Sequence, residues 1–179
     1  MKYAALLRGI NVGGNHKLPM ADLVALLEAL GCSRVRTYIQ SGNAVFEAPA
    51  RLAATLPRAL PSAILGKHGF SAPVVLRSGA ELADVVKANP FLARGADRED
   101  LHVGFLADRP SHEDVQAMAP KLTAGDSFAV VDRHVYLSLP KGVAGTKLTN
   151  AYFDASLKTV CTVRNWRTVT ALAAMSGVA

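Results

Sequence analysis

A chain of 179 residues that is half apolar and 19% charged has an ordinary globular balance, with length for one sizeable core or two small ones. Its net charge of +6 is uneven: residues 1–95 hold 11 of the 20 basic and 5 of the 14 acidic side chains, and the remainder is neutral. No stretch approaches the ~20 apolar residues of a membrane span, and the apolar run before Arg8 is too short for a secretory leader, so a cytoplasmic location is expected.

In chain order, "YAALLR" (3–8) is a nearly continuous apolar run and predicts a central strand. Met20, Leu23, Val24, Leu27 and Leu30 recur at helical spacing before Gly31, which predicts a helix over 19–30. "VRTYIQ" (35–40) and "NAVFE" (43–47) flank a Ser-Gly pair and read as a hairpin. Residues 50–67 read as helix, with Pro57 and Pro61 as candidate breaks. "PVVLR" (73–77) predicts a strand and 79–88 a helix.

The polar, Pro- and Gly-bearing segment "ANPFLARGADRED" is the best linker in the chain, and the order of elements then recurs. "LHVGFLA" (101–107) is a strand, 111–120 a helix, "SFAVVD" and "HVYLSL" a hairpin, 149–158 a helix, 160–164 a strand and 167–176 a helix. "VVLRSGAELADVV" also aligns with "CTVRNWRTVTALA", pairing Arg77 with Arg164. The expectation is an α+β protein of two tandem ferredoxin-like (βαββαβ) units, each followed by an extra helix. Their bounds are 1–90 and 101–179, with 91–100 as linker.

Cys32 and Cys161 form no C-x-x-C pair and read as idle or buried thiols. The histidines at 16, 68, 102, 112 and 134 never fall at i,i+4 or beside a cysteine; no zinc pattern exists, and each reads as a surface or loop residue.

In a split βαβ arrangement the loop after the first strand and the turn after the second share one end of the sheet. "RGINVGGNHK" and "QSGN" should therefore bring Arg8, Asn11, Asn15, Lys17, Gln40, Ser41 and Asn43 together. The first loop, of about eleven residues, far exceeds the usual ~2–6 of a βα connection. In the second unit "PKGVAGTKLT" (140–149) and "RNWRT" (164–168) leave the sheet together, and the two units are expected to turn these ends toward one cleft. Neither glycine loop has a nucleotide-binding spacing. In "RSGAE", Ser78 and Glu81 form a capping box; in "RNWRT", Asn165 can cap but Arg164 and Arg167 replace the acid. A helix start without its own anion suits a phosphate or carboxylate, whereas an internal salt bridge with Trp166 as a core residue is the plainer alternative.

The stretches "LLRGINVGGNHKLPM", "VRTYIQSGNAVF", "NPF" with "LHVGFL", and "VRNWRTV" resemble the bacterial family catalogued as domain of unknown function 1697, from about Tyr3 to Leu172. The resemblance implies a pair of ferredoxin-like units and no assigned activity. Its hallmark positions are occupied here by Arg8, Asn11, Gly13, Gly14, Gln40, Ser41, Gly42, Asn43, Lys147, Arg164, Asn165 and Trp166, while Arg167 departs from the usual asparagine.

Three functions compete. The first is binding of a small anionic ligand between the units: Arg8, Lys17, Lys147 and Arg164 supply charge, and Asn11, Gln40, Asn43 and Asn165 orient it. The motif positions hold no acid, histidine or cysteine, so no catalytic base, nucleophile, metal site or cofactor is named and enzymatic activity stays open. The second is a nucleic-acid module, which the basic charge allows but which Asn43, Val45 and Ala48 at the stacking positions of the third strand argue against. The third is an oligomeric interaction protein, as monomer or homodimer, with no membrane partner.

Overall fold

A computed structural model describes residues 1–120 and 122–177. It divides into two compact units: Met1–Asp84 with the chain from Ala171 on, and Val85–Thr170. The first contains β1 (Lys2–Leu7), α1 (Met20–Ala29), β2 (Ser33–Tyr38), β3 (Asn43–Glu47), α2 (Ala50–Ala53), α3 (Leu56–His68), β4 (Val74–Ser78) and the start of α4 (Gly79–Lys87). The second contains β5 (Leu101–Leu106), α5 (His112–Gln116), β6 (Ser127–Val131), β7 (His134–Ser138), α6 (Asn150–Leu157), β8 (Cys161–Asn165) and the start of α7 (Trp166–Met175). The stretch read as a linker carries a short 3-10 turn, Leu92–Arg94, behind a buried Phe91.

Each unit builds one four-stranded antiparallel sheet, ordered β2-β3-β1-β4 in the first and β6-β7-β5-β8 in the second. The most apolar strands take the inner places, because a strand paired on both edges must tolerate burial along its length. In β1 only Lys2 is exposed, and in β5 nothing is. In the first unit Leu23 and Leu27 of α1 and Leu56, Leu60 and Ile64 of α3, at intervals of four, pack with Ala5, Leu7, Ala44 and Phe46 of the sheet. In the second, Phe153 and Leu157 of α6 pack with Leu106, Val135, Leu137 and Cys161. Cys32 and Cys161 are both free and buried, and burial pushes the Cys32 thiol upward.

The two sheets share a register. Ala4 lies opposite Arg77 as Val103 lies opposite Arg164, and Tyr3 opposite Ser78 as His102 opposite Asn165. The residues that start α4 and α7 therefore occupy equivalent sheet positions. At α4, Glu81 Oε2 accepts from the Ser78 amide at 2.8 Å and Ser78 Oγ accepts from the Glu81 amide at 3.2 Å, a capping box. Replacing Ser78 by Ala is expected to cost about 1 kcal/mol in urea denaturation. A cost indistinguishable from zero would mean the box is not formed in solution.

Two helices differ from expectation. The 50–67 segment is not continuous: it breaks between Ala53 and Leu56, just ahead of Pro57, one of its two candidate breaks. A continuous helix would need a Pro57 N–H and would drive its ring into the Ala53 carbonyl, whereas at the second position of a new helix neither problem arises. Pro61 lies inside α3. The helix expected over 111–120 spans only His112–Gln116, since Pro120 disfavours helical geometry at the residue before it.

Candidate functional site

The first unit brings the β1–α1 loop against the β2–β3 turn. Leu7 N donates to the Gly42 carbonyl at 2.8 Å. Asn11 holds the loop from its centre: its Nδ2 donates to the carbonyls of Leu18 (2.9 Å) and Gln40 (2.8 Å), and its Oδ1 accepts from Leu18 N at 2.8 Å. His16 stacks on Phe70 with centroids 4.7 Å apart, and its Nδ1 lies 3.2 Å from the Gly9 carbonyl. Asn43 is fully buried, donating to the Tyr38 carbonyl and to Ser41 Oγ. These bonds of Asn11 and Asn43 serve the loop itself, while Gly13, Gly14, Lys17 and Gln40 are exposed and Arg8 and Ser41 half-buried.

In the second unit the segment after β7 and the β8–α7 joint lie side by side. Asn150 Oδ1 accepts from Val163 N at 3.0 Å, tying the start of α6 to β8. Residues alternate along β8. Arg164 therefore shares a face with Thr162, and its Nη1 donates to Thr162 Oγ1 (2.8 Å) and to the Val163 carbonyl (3.0 Å). Desolvation pushes the Arg164 guanidinium down to about 10, still charged at neutral pH. Trp166 is buried, and Lys147 is exposed.

Two cavities adjoin this joint. One, of about 510 Å³, is lined by Arg98, Glu99, Asn165, Trp166, Arg167 and Thr170. Asn165 Oδ1 accepts from Thr168 N at 2.9 Å and so caps α7, whose first turn holds no acid. Arg98 and Arg167 are exposed, and neither is ion-paired among the described residues. Glu99 is the acidic member of the lining, and it has no ion pair among them either.

The other cavity, of about 390 Å³, has apolar walls of Leu139, Val143, Leu148 and Val163, with Thr146, Thr149, Asn150, Asn165 and His102 between them. The histidines expected as surface or loop residues include two on strands: His102 of β5 and His134 of β7 are each only 8% exposed. That correction has a physical origin, since a half-polar ring can enter an inner strand when a ring nitrogen finds a partner. His102 Nδ1 lies 3.0 Å from the Asp100 carbonyl, which can only accept, so Nδ1 carries the proton. The signal in the sequence was a single polar residue inside the apolar run "LHVGFL".

Among the described residues no three His, Cys, Asp or Glu side chains group as metal ligands, and no helix is long and apolar enough to cross a membrane. The architecture is that of a two-sheet α+β protein and is similar to the structure of the conserved bacterial protein SP0830 from Streptococcus pneumoniae. That chain is 24% identical, with a TM-score of 0.67 and 98% of each chain covered, a likeness of fold alone. The profile of the family described as Protein of unknown function (DUF1697) matches residues 1–136, and the chain belongs to that family. No curated protein matches the chain.

Proposed function

We propose that this is a small-ligand protein built on two ferredoxin-like units, whose second unit binds a phosphate- or carboxylate-bearing compound at the start of α7. The observation that carries this reading is the 510 Å³ cavity, where the exposed Arg98 and Arg167 flank a helix start with no acid of its own. Unsatisfied helix amides and guanidinium forks both favour an oxyanion, and a cavity of this size suits a small molecule. Of the residues singled out by motif, Asn165 and Trp166 line the cavity; half-buried Arg164 holds the end of β8 and adds long-range positive charge. The nucleic-acid alternative is the weaker one, because Asn43, Val45 and Ala48 are buried and offer no ring or edge for base stacking.

Calorimetry with inorganic phosphate, pyrophosphate, acetate and citrate tests the proposal. Arg98→Ala and Arg167→Ala are each expected to weaken binding by about tenfold or more, the value of one charge-assisted hydrogen bond. Arg51→Ala, which removes the same charge from α2 of the first unit, should leave the affinity unchanged. No heat from any of the four anions, or an Arg167→Ala chain that binds as tightly as the parent, would overturn it.

A further inference from the structure

We infer that the ligand is a polyhydroxy anion, its hydroxyl-bearing part held in the 390 Å³ cavity with His102 Nε2 accepting one of its protons. This rests on the anion-binding reading above and adds the substrate class. With Nδ1–H donated to the Asp100 carbonyl, Nε2 of the neutral ring keeps a lone pair, and no group among the described residues meets it. The residue is only 8% exposed and lines the cavity.

The other polar groups of the lining are committed in a consistent way. Asn150 Oδ1, Asn165 Oδ1 and Thr149 Oγ each accept from a backbone amide, of Val163, Thr168 and Tyr152 respectively. What these three retain for a guest is N–H and O–H, which donate. Three donors and one acceptor, set between apolar walls, complement hydroxyl groups, whose oxygens accept and whose protons donate. An ionised carboxylate or a fully ionised phosphate ester brings no proton for Nε2, and a purely apolar guest would leave all four unpaired.

Asn165 joins the two cavities, since it lines both and sits opposite His102 in the β5–β8 register. Directly opposed side chains on an antiparallel pair stand roughly 4.5–5.5 Å apart at Cβ. A compact molecule with an anionic group at one end and hydroxyls beside it can therefore use both cavities at once.

The test uses the full chain and two probe pairs, ribose 5-phosphate against inorganic phosphate and gluconate against acetate. At least one polyhydroxy anion should bind about tenfold tighter than its bare counterpart, and the pair showing the gain identifies phosphate or carboxylate. His102→Phe should erase that gain while leaving the bare anion within about twofold, which is below one hydrogen bond. In the unaltered chain, near pH 8, the His102 Nε2 nitrogen resonance should move upfield as the polyhydroxy probe is added. That readout holds even if the Phe variant folds poorly. Polyhydroxy anions no tighter than bare ones, or an unmoved Nε2 resonance, overturn the inference and leave the anion site standing. Failure of the bare anions as well removes both.

Discussion

Gly42→Ala is expected to lower the stability of the chain by about 2–5 kcal/mol, among the larger effects open to a single methyl group. Gly42 has φ +76°, in the left-handed region that an alanine enters only at a cost of about 1–2 kcal/mol. The added Cβ would also lie 2.7 Å from Ile10 Cδ1 and 2.8 Å from Leu7 Cβ. Ile10 can rotate, but Leu7 Cβ cannot move without its backbone, which is fixed by its amide bond to the Gly42 carbonyl. Overpacking of this kind adds about 1–3 kcal/mol. Gly13→Ala is the matched control: its φ is +60°, yet nothing lies within 4 Å of its Cβ position, so only the backbone cost of about 1–2 kcal/mol should appear. Urea denaturation of both variants decides the point. Equal losses would show that packing at the "QSGN" turn does not require glycine, and would reopen a ligand as the reason for it.

That comparison bears on how much of the molecule could be read from its residues. The doubled order of strands and helices was legible because each sheet places its most apolar run in an inner strand. The pairing of Arg77 with Arg164 holds in register, opposite Ala4 and Val103. The contrast between α4 and α7 was legible too, since Ser78, Glu81 and Asn165 act within three residues of themselves. Asn11 was read as a ligand-orienting group, but its partners, Leu18 and Gln40, lie seven and twenty-nine residues away, and spacing does not disclose them. Arg98 was hidden inside a stretch read as linker, and only the turn from Asp97 to Asp100 brings it to the start of α7. His102 was read as a surface or loop residue because a lone histidine has no local partner pattern; its ring is oriented by a carbonyl two residues back, beside a cavity that several elements close.

Thr146→Val is expected to cost about 2–4 kcal/mol although it preserves side-chain volume. The Thr146 hydroxyl donates to Asp126 Oδ2 at 2.6 Å and accepts from Leu148 N at 3.1 Å. Asp126 is 5% exposed, and its Oδ1 has no hydrogen-bond partner among the described residues. Valine would leave both carboxyl oxygens buried and unpaired, and an orphaned buried acceptor costs about 1–3 kcal/mol, more when it is charged. Because the loss comes from the acid left behind, removing both partners should hurt less than removing one. The double variant Asp126→Val/Thr146→Val is therefore expected to be more stable than Thr146→Val alone, and Thr146→Ser, which keeps the hydroxyl, to lose only about 1 kcal/mol. A double variant less stable than the single one would show that the two residues contribute separately. The same bond reaches the candidate site, since Thr146 and Leu148 form part of the wall of the His102 cavity. Thr123 adds a second tie, donating to the Gly145 carbonyl at 2.9 Å while its own carbonyl accepts from Asp126 N. If the buried acid fixes that wall, Thr146→Val should weaken ribose 5-phosphate or gluconate binding toward that of the bare anion, and leave the affinity set by Arg98 and Arg167 where it was.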